Sequence, residues 1–133
     1  MIRIADINDC ERLTDLFIEL HRHHVEIKPE TFRMPQHEWF SERIAEILND
    51  GGQTVFIHED SELDGYVVVK IMDVNTEEKF PWRMCYIDCF AVAENCRRQG
   101  IGTELFGAVK AFGKEHGCTS VQLGVTACNT DSV

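Results

Sequence analysis

One segment constrains the fold of this chain more than any other. Residues 84–93 read Met-Cys-Tyr-Ile-Asp-Cys-Phe-Ala-Val-Ala, a long β-type run with a carboxylate, Asp88, inside it. The polar stretch Glu94-Asn95-Cys96-Arg97-Arg98-Gln99-Gly100-Ile101-Gly102 follows directly. Ile101, Leu105, Ala108, Val109 and Phe112 then recur as one face of an amphipathic helix, which His116-Gly117 ends. Residues 119–125 read as a further strand. Strand, turn, helix and strand in that order make a right-handed parallel crossover. The chain is therefore expected to hold a sheet with a helix packed across a parallel pair.

The rest of the chain supplies the other strands and two more helices. Residues 2–5 read as a short first strand. Asn8-Asp9-Cys10-Glu11 has the form of a capping box, with Asn8 as N-cap and Glu11 three residues on. Cys10, Leu13, Leu16, Phe17 and Leu20 follow at helical spacing, and this helix is expected to end near 21–24. Residues 22–34 read as a loop. Pro35 opens a second helix with Phe40, Ile44, Ile47 and Leu48 as its apolar stripe, stopped by Asn49-Asp50-Gly51-Gly52. Residues 54–57 and 66–74 read as a hairpin around an acidic turn, and 75–83 as a polar loop. The order β, α, α, β, β, β, α, β predicts one mixed α/β (α+β) domain over residues 1–133. Its central twisted sheet is mostly antiparallel, with the parallel crossover at the end of the chain.

Composition narrows the partners. Hydrophobic residues make up 44% and charged residues 27% of 133 residues, the balance of a globular domain rather than a disordered one. The formal net charge is −10, which disfavours generic binding to nucleic acid or to an anionic membrane. The charge is uneven: residues 1–95 hold 9 basic and 20 acidic side chains, whereas residues 96–133 hold 4 and 3. No run of about 18 apolar residues exists, so no membrane span is expected. The six cysteines form no C-x-x-C pair, and the opening residues are too polar for a secretory signal. They are read as reduced cytoplasmic thiols, several of them in the core.

The locally basic segment is also where chemistry gathers. A glycine turn entering a helix presents backbone N–H groups with no partner in that helix. Gly100 and Gly102 let an anion approach the backbone closely, the helix dipole favours it there, and Arg97 and Arg98 add charge. This is a pyrophosphate cradle in an otherwise acidic chain. It is not a P-loop, because no Lys-Ser/Thr follows the glycines. Nor is it the dinucleotide fingerprint: Thr103-Glu104-Leu105 follow, so the third glycine is absent.

Tyr86 through Gly102, with Ile2–Ala5 before the Asn8 helix and Gly124-Val125-Thr126-Ala127-Cys128-Asn129, resembles the GNAT superfamily of N-acetyltransferases. The resemblance covers essentially the whole chain and is most specific over 86–102. It implies the acyl-CoA N-acyltransferase fold, with acetyl-CoA as cosubstrate and the primary amine of a small molecule or peptide as acceptor. It further implies that main-chain groups of Phe90, Ala91 and Val92 pair with the pantetheine arm. N–H groups of Arg97, Arg98, Gln99, Gly100, Ile101, Gly102 and Thr103 would hold the pyrophosphate, and Asn129 would contact the CoA arm. A strand N–H near Val92 would polarise the thioester carbonyl.

The general base is expected on the fourth strand. Many family members carry a glutamate where this chain has Tyr86, and a phenol, with an ordinary pKa near 10, is a poor base at pH 7. Asp88, two residues on, shares a face with Tyr86 if the strand is regular. Asp88 and Tyr86 are therefore the catalytic candidates, Asp88 first. Its other reading is a carboxylate satisfied by neighbouring backbone or a basic side chain.

The family pattern continues beyond Asn129 with a helix, an early tyrosine of which often serves as the general acid, and two more strands, whereas this sequence stops at Val133. The expectation is a domain shortened after its fifth strand, with an open edge at 119–125 suited to homodimer formation or strand exchange. The rival reading is a non-catalytic acyl-CoA-binding module, or a partial subunit completed by another chain. A third is an αβ domain with a chance glycine turn. No metal is expected: His21, His23 and His24, with Glu26 close by, read as charge near a helix C-terminus or as contacts to the acceptor. Phe32, Trp39, Phe40 and Trp82 are pocket lining or core anchors. Cys85 and Cys89 share a face in a regular strand and face opposite ways only in a bulged one.

Overall fold

The computed structural model describes residues 1–60, 62–93 and 100–123. In chain order they form β1 (Ile2–Ile4), a 3-10 turn (Ile7–Asp9), α1 (Cys10–Ile27), α2 (His37–Asn49), β2 (Gln53–Glu59), β3 (Leu63–Thr76), β4 (Lys79–Val92), α3 (Ile101–Glu115) and β5 (Ser120–Leu123). One sheet holds the strands in the order β1-β2-β3-β4-β5. Neighbours are antiparallel except for β4 and β5, which run parallel on either side of α3. The mixed α+β class and the expected crossover are both present.

Three local readings are corrected. The side-chain cap is Asp6, on the 3-10 turn that leads into α1, rather than Asn8. Its carboxylate accepts from the Asn8 N–H at 2.9 Å, while Asp9 Oδ2 accepts from the Asp6 N–H at 2.9 Å, so the capping box is built on Asp6 and Asp9. Arg3 explains the choice, because its guanidinium donates to both Asp9 oxygens at 2.7 and 3.0 Å. A long-range ion pair thus selects among several local carboxylates. The first helix also runs on to Ile27, past the expected end. Finally, residues 75–83 are not a loop: β3 and β4 are each 14 residues long and turn at Glu77-Glu78. Polar side chains there read as a loop, but the outer end of this hairpin is exposed on both faces and needs no apolar alternation.

The sheet separates two cores. On one face Leu13, Leu16 and Leu20 of α1 and Ile44 of α2 pack against Val55, Ile57, Tyr66, Val68 and Ala91. On the other, Ile101, Leu105 and Val109 of α3 cover Val67, Val69, Cys85, Ile87, Phe90 and Val92. The expected helical stripes are the ones buried. The α3 seat is close: a Cβ on Gly65 would lie 3.1 Å from both Ile101 Cγ2 and Leu105 Cδ1. Glycine at 65 lets the first turns of α3 lie directly on β3.

Candidate active site

The alternation of β4 changes phase at Asp88. Val68 pairs with Cys89 and Val69 with Ile87, so Asp88 has no partner on β3 and forms a β-bulge. Before the bulge, Cys85 and Ile87 point to α3; after it, Phe90 and Val92 do. Cys89 and Ala91 face α1 and α2 instead. The two cysteines therefore lie on opposite faces, and β4 is not the regular strand that the pairing of Tyr86 with Asp88 assumed. The carboxylate of Asp88 is exposed, whereas Phe90, Ala91 and Val92 after it are 3%, 2% and 2% exposed. A carboxylate thus stands where the strand gives up a ladder position, and a dry segment follows.

The direction of the main chain beyond the bulge is also fixed. The Ala93 N–H donates to Asp64 O at 2.7 Å, toward β3. In an antiparallel ladder such pairs alternate, so the peptide groups of Phe90 and Val92 point away from β3. That is the edge along which β5 pairs with Met84–Ile87.

Tyr86 is half-buried beside the bulge. It pairs with Lys70 on β3, whose ammonium stands 5.4 Å from the centre of the phenol ring. Cys89 holds the buried Tyr66 hydroxyl at 3.2 Å. Burial pushes the Cys89 thiol up to about 11 and Tyr66 well above its ordinary value. Burial likewise pushes Cys85 up to about 11. Neither thiol is a nucleophile at neutral pH, which agrees with a packing role.

The glycine turn ends at Gly100, the N-cap of α3, at φ 80°, a conformation that favours glycine. Its carbonyl accepts from the Glu104 N–H at 3.0 Å, the first bond of the helix. The N–H groups of Ile101, Gly102 and Thr103 precede that bond and have no carbonyl in their own helix. Gly100 supplies no side-chain cap, and Ile101 and Gly102 are buried while Thr103 is exposed. These donors suit an anionic group. Arg97, Arg98, Gln99 and Asn129 lie outside the described residues.

The histidines of α1 organise its C-terminal end. His21 Nε2 is 2.7 Å from Arg33 O, and its ring meets Phe32 and Phe40 edge-on. Phe40 is fully buried, Trp39 is 41% exposed, and Phe32 also contacts His24. The 28–36 segment is thus fastened to α1 through rings. Trp82 lies apart, on the outer hairpin under Lys79.

One cluster escaped the sequence reading. His58 of β2 is 3% exposed; its Nδ1 is 2.6 Å from Asp64 Oδ1 and its Nε2 2.9 Å from Glu104 Oε2. The only local signal is a histidine two residues after Phe56 on an apolar strand; its partners are 6 and 46 residues away. Donor atoms of His58, Asp60 and Asp64 lie within 4.8 Å of one another. Both His58 nitrogens face carboxylates, and Asp60 sits 3.3 Å from the N-terminal ammonium, so the group is an ion-pair network.

No helix among the described residues is long and apolar enough to cross a membrane. A sequence comparison with curated proteins gave no match. Comparison with solved structures gave many. A Bacillus halodurans protein, solved as a tetramutant, superposes with a TM-score of 0.88 at 24% identity, over 97% of this chain and 85% of its own. An acetyltransferase from Vibrio fischeri gives 0.74 at 21% identity, over 95% and 98%. An aminoglycoside N-acetyltransferase in complex with CoA gives 0.73 at 19% identity, over 98% and 79%. At these identities the likeness establishes the fold. The sequence profile of the acetyltransferase (GNAT) family matches residues 11–133. With the bulged β4, the parallel crossover and the glycine-capped α3 in place, the chain belongs to the GNAT family, whose chemistry is acyl transfer.

Proposed function

We propose that this chain is an acetyl-CoA-dependent N-acetyltransferase acting on the primary amine of a small molecule or peptide. The observation that carries the reading is the order of features along β4 and at the start of α3. A carboxylate at the bulge, peptide groups of Phe90 and Val92 turned away from β3, and a positive-φ glycine at the helix N-terminus succeed one another. Acetyl-CoA supplies the acetyl group as a thioester. The N-terminal turn of α3, from Gly100 to Thr103, holds its phosphates, with Arg97, Arg98 and Gln99 adjoining it in sequence and Asn129 toward the CoA arm. Phe90, Ala91 and Val92 align the pantetheine as an added strand, and the Val92 N–H polarises the thioester carbonyl.

An amine attacks only when neutral. Asp88 takes the amine proton, directly or through a water, as the new C–N bond forms; the thioester C–S bond breaks, and CoA leaves as a thiolate that takes a proton from solvent. The exposure of Asp88 permits that exchange, and Tyr86 stands two residues before it on the same strand. The acidic chain favours a cationic acceptor. The test is calorimetric titration with acetyl-CoA, with ATP as control, followed by a thiol-release assay across polyamines, amino acids and peptides. Selective binding with thiol release is the expected result. Binding without release from any amine would instead support an acyl-CoA-binding module.

A further inference from the structure

The His58 network lies at the foot of α3, on the side of the sheet that carries the anion cradle. An ionised carboxylate only accepts hydrogen bonds. Carboxylate oxygens lie 2.6 and 2.9 Å from the two nitrogens of His58, so the ring is held between Asp64 and Glu104. Asp64 is 6% exposed and holds one side of the ring from the start of β3. Glu104 comes to the other side from the first turn of α3.

Glu104 is the feature that needs explaining. Its N–H closes the first helical bond onto Gly100, and side chains in a helix lean toward the N-terminus. A carboxylate there, 56% exposed, would lean over the donors that face an anion. His58 draws it down to the sheet and holds it at 2.9 Å. Close packing of Ile101 and Leu105 against Gly65 already fixes the helix itself, so the contribution of His58 is chiefly to where the Glu104 carboxylate sits.

We propose that His58 is a positioning residue for cofactor binding: it holds the Glu104 carboxylate away from the N-terminal turn of α3 and so keeps that turn attractive to phosphate. The inference rests on the acetyl-CoA reading above. Without His58, Glu104 stands free beside the phosphates and repels them, a loss that salt screens.

The experiment is calorimetric titration of CoA into four folded proteins: wild type, His58→Ala, Glu104→Gln and the double variant. His58→Ala is expected to weaken CoA about tenfold, equivalent to about 1.4 kcal/mol, and less at 0.5 M than at 0.05 M salt. Glu104→Gln is expected to bind as tightly as wild type or tighter. The double variant should recover to within about twofold of wild type, which a merely structural role for His58 would not allow. Should His58→Ala fail to fold, His58→Gln serves, since its neutral amide keeps a donor for Asp64 but lacks the second ring nitrogen that holds Glu104. Unchanged CoA binding by a folded His58 variant, or a double variant as weak as the single one, overturns the inference alone. A wild-type protein that binds no CoA overturns the acetyl-CoA reading and this inference together.

Discussion

The two halves of β4 are built on different rules. From Lys79 to Arg83 the strand is a projecting hairpin arm, with Phe80 93% exposed. From Phe90 to Val92 every side chain is buried. Between them, one unpaired residue reverses which face each later side chain meets. The outer half makes a ladder and little core. The inner half makes core on both faces, and it also turns its peptide groups toward the edge proposed to receive the cofactor. Rigidity and chemical exposure coexist because they use different residues: buried side chains fix the strand, while the bulge carboxylate of Asp88 stands open to solvent.

The most severe way to break this contrast is to insert one residue between Cys89 and Phe90. A strand that keeps the Asp88 bulge would then send Ala91 to α3 and turn Phe90 and Val92 toward α1 and α2. Loss of roughly 4 kcal/mol or more, or failure to fold, is expected in urea unfolding. A folded insertion variant of near wild-type stability would show that alternation after the bulge does not set the facing of the inner half.

Truncation of one aromatic in each half sharpens the contrast. Phe90→Ala should cost about 3–5 kcal/mol, whereas Phe80→Ala should change stability by no more than about 0.5 kcal/mol. Equal losses from the two would refute the division. Asp88→Asn tests chemistry without packing. If Asp88 takes the amine proton, kcat should fall on the order of 100-fold, with the thermal midpoint nearly unchanged because the side chain is exposed. An unaffected kcat would remove Asp88 from the mechanism.

A smaller effect belongs to the cap that β4 does not touch. The Arg3 guanidinium holds the buried Asp9 carboxyl below its usual 3.8. A carboxyl lowered in the fold contributes stability above its unfolded value, and that contribution is lost as pH falls through the folded one. Asp9→Asn should therefore cost about 1 kcal/mol at pH 7. Below about pH 4 the difference from wild type should shrink, as read by urea midpoints at pH 7 and pH 3.

The sequence by itself determined the order of elements, the helical faces and the glycine turn that opens α3. Each of these is a local property: apolar spacing of 3 and 4 buries Leu13, Leu16 and Leu20 or Ile101, Leu105 and Val109 wherever a sheet is available. The family-bearing stretch is local in the same sense, being one strand running into one turn. Tertiary structure decided the rest, because those outcomes depend on partners distant in sequence. Asp6 rather than Asn8 caps the 3-10 turn that leads into α1 because Arg3 grips Asp9. Asp88 became a bulge because β3 pairs on both sides of it. His58 acquired its partners only when a β3 residue 6 positions on and an α3 residue 46 positions on closed around it. Periodicity reports which face a residue prefers; only the assembled sheet reports which charges it will meet there.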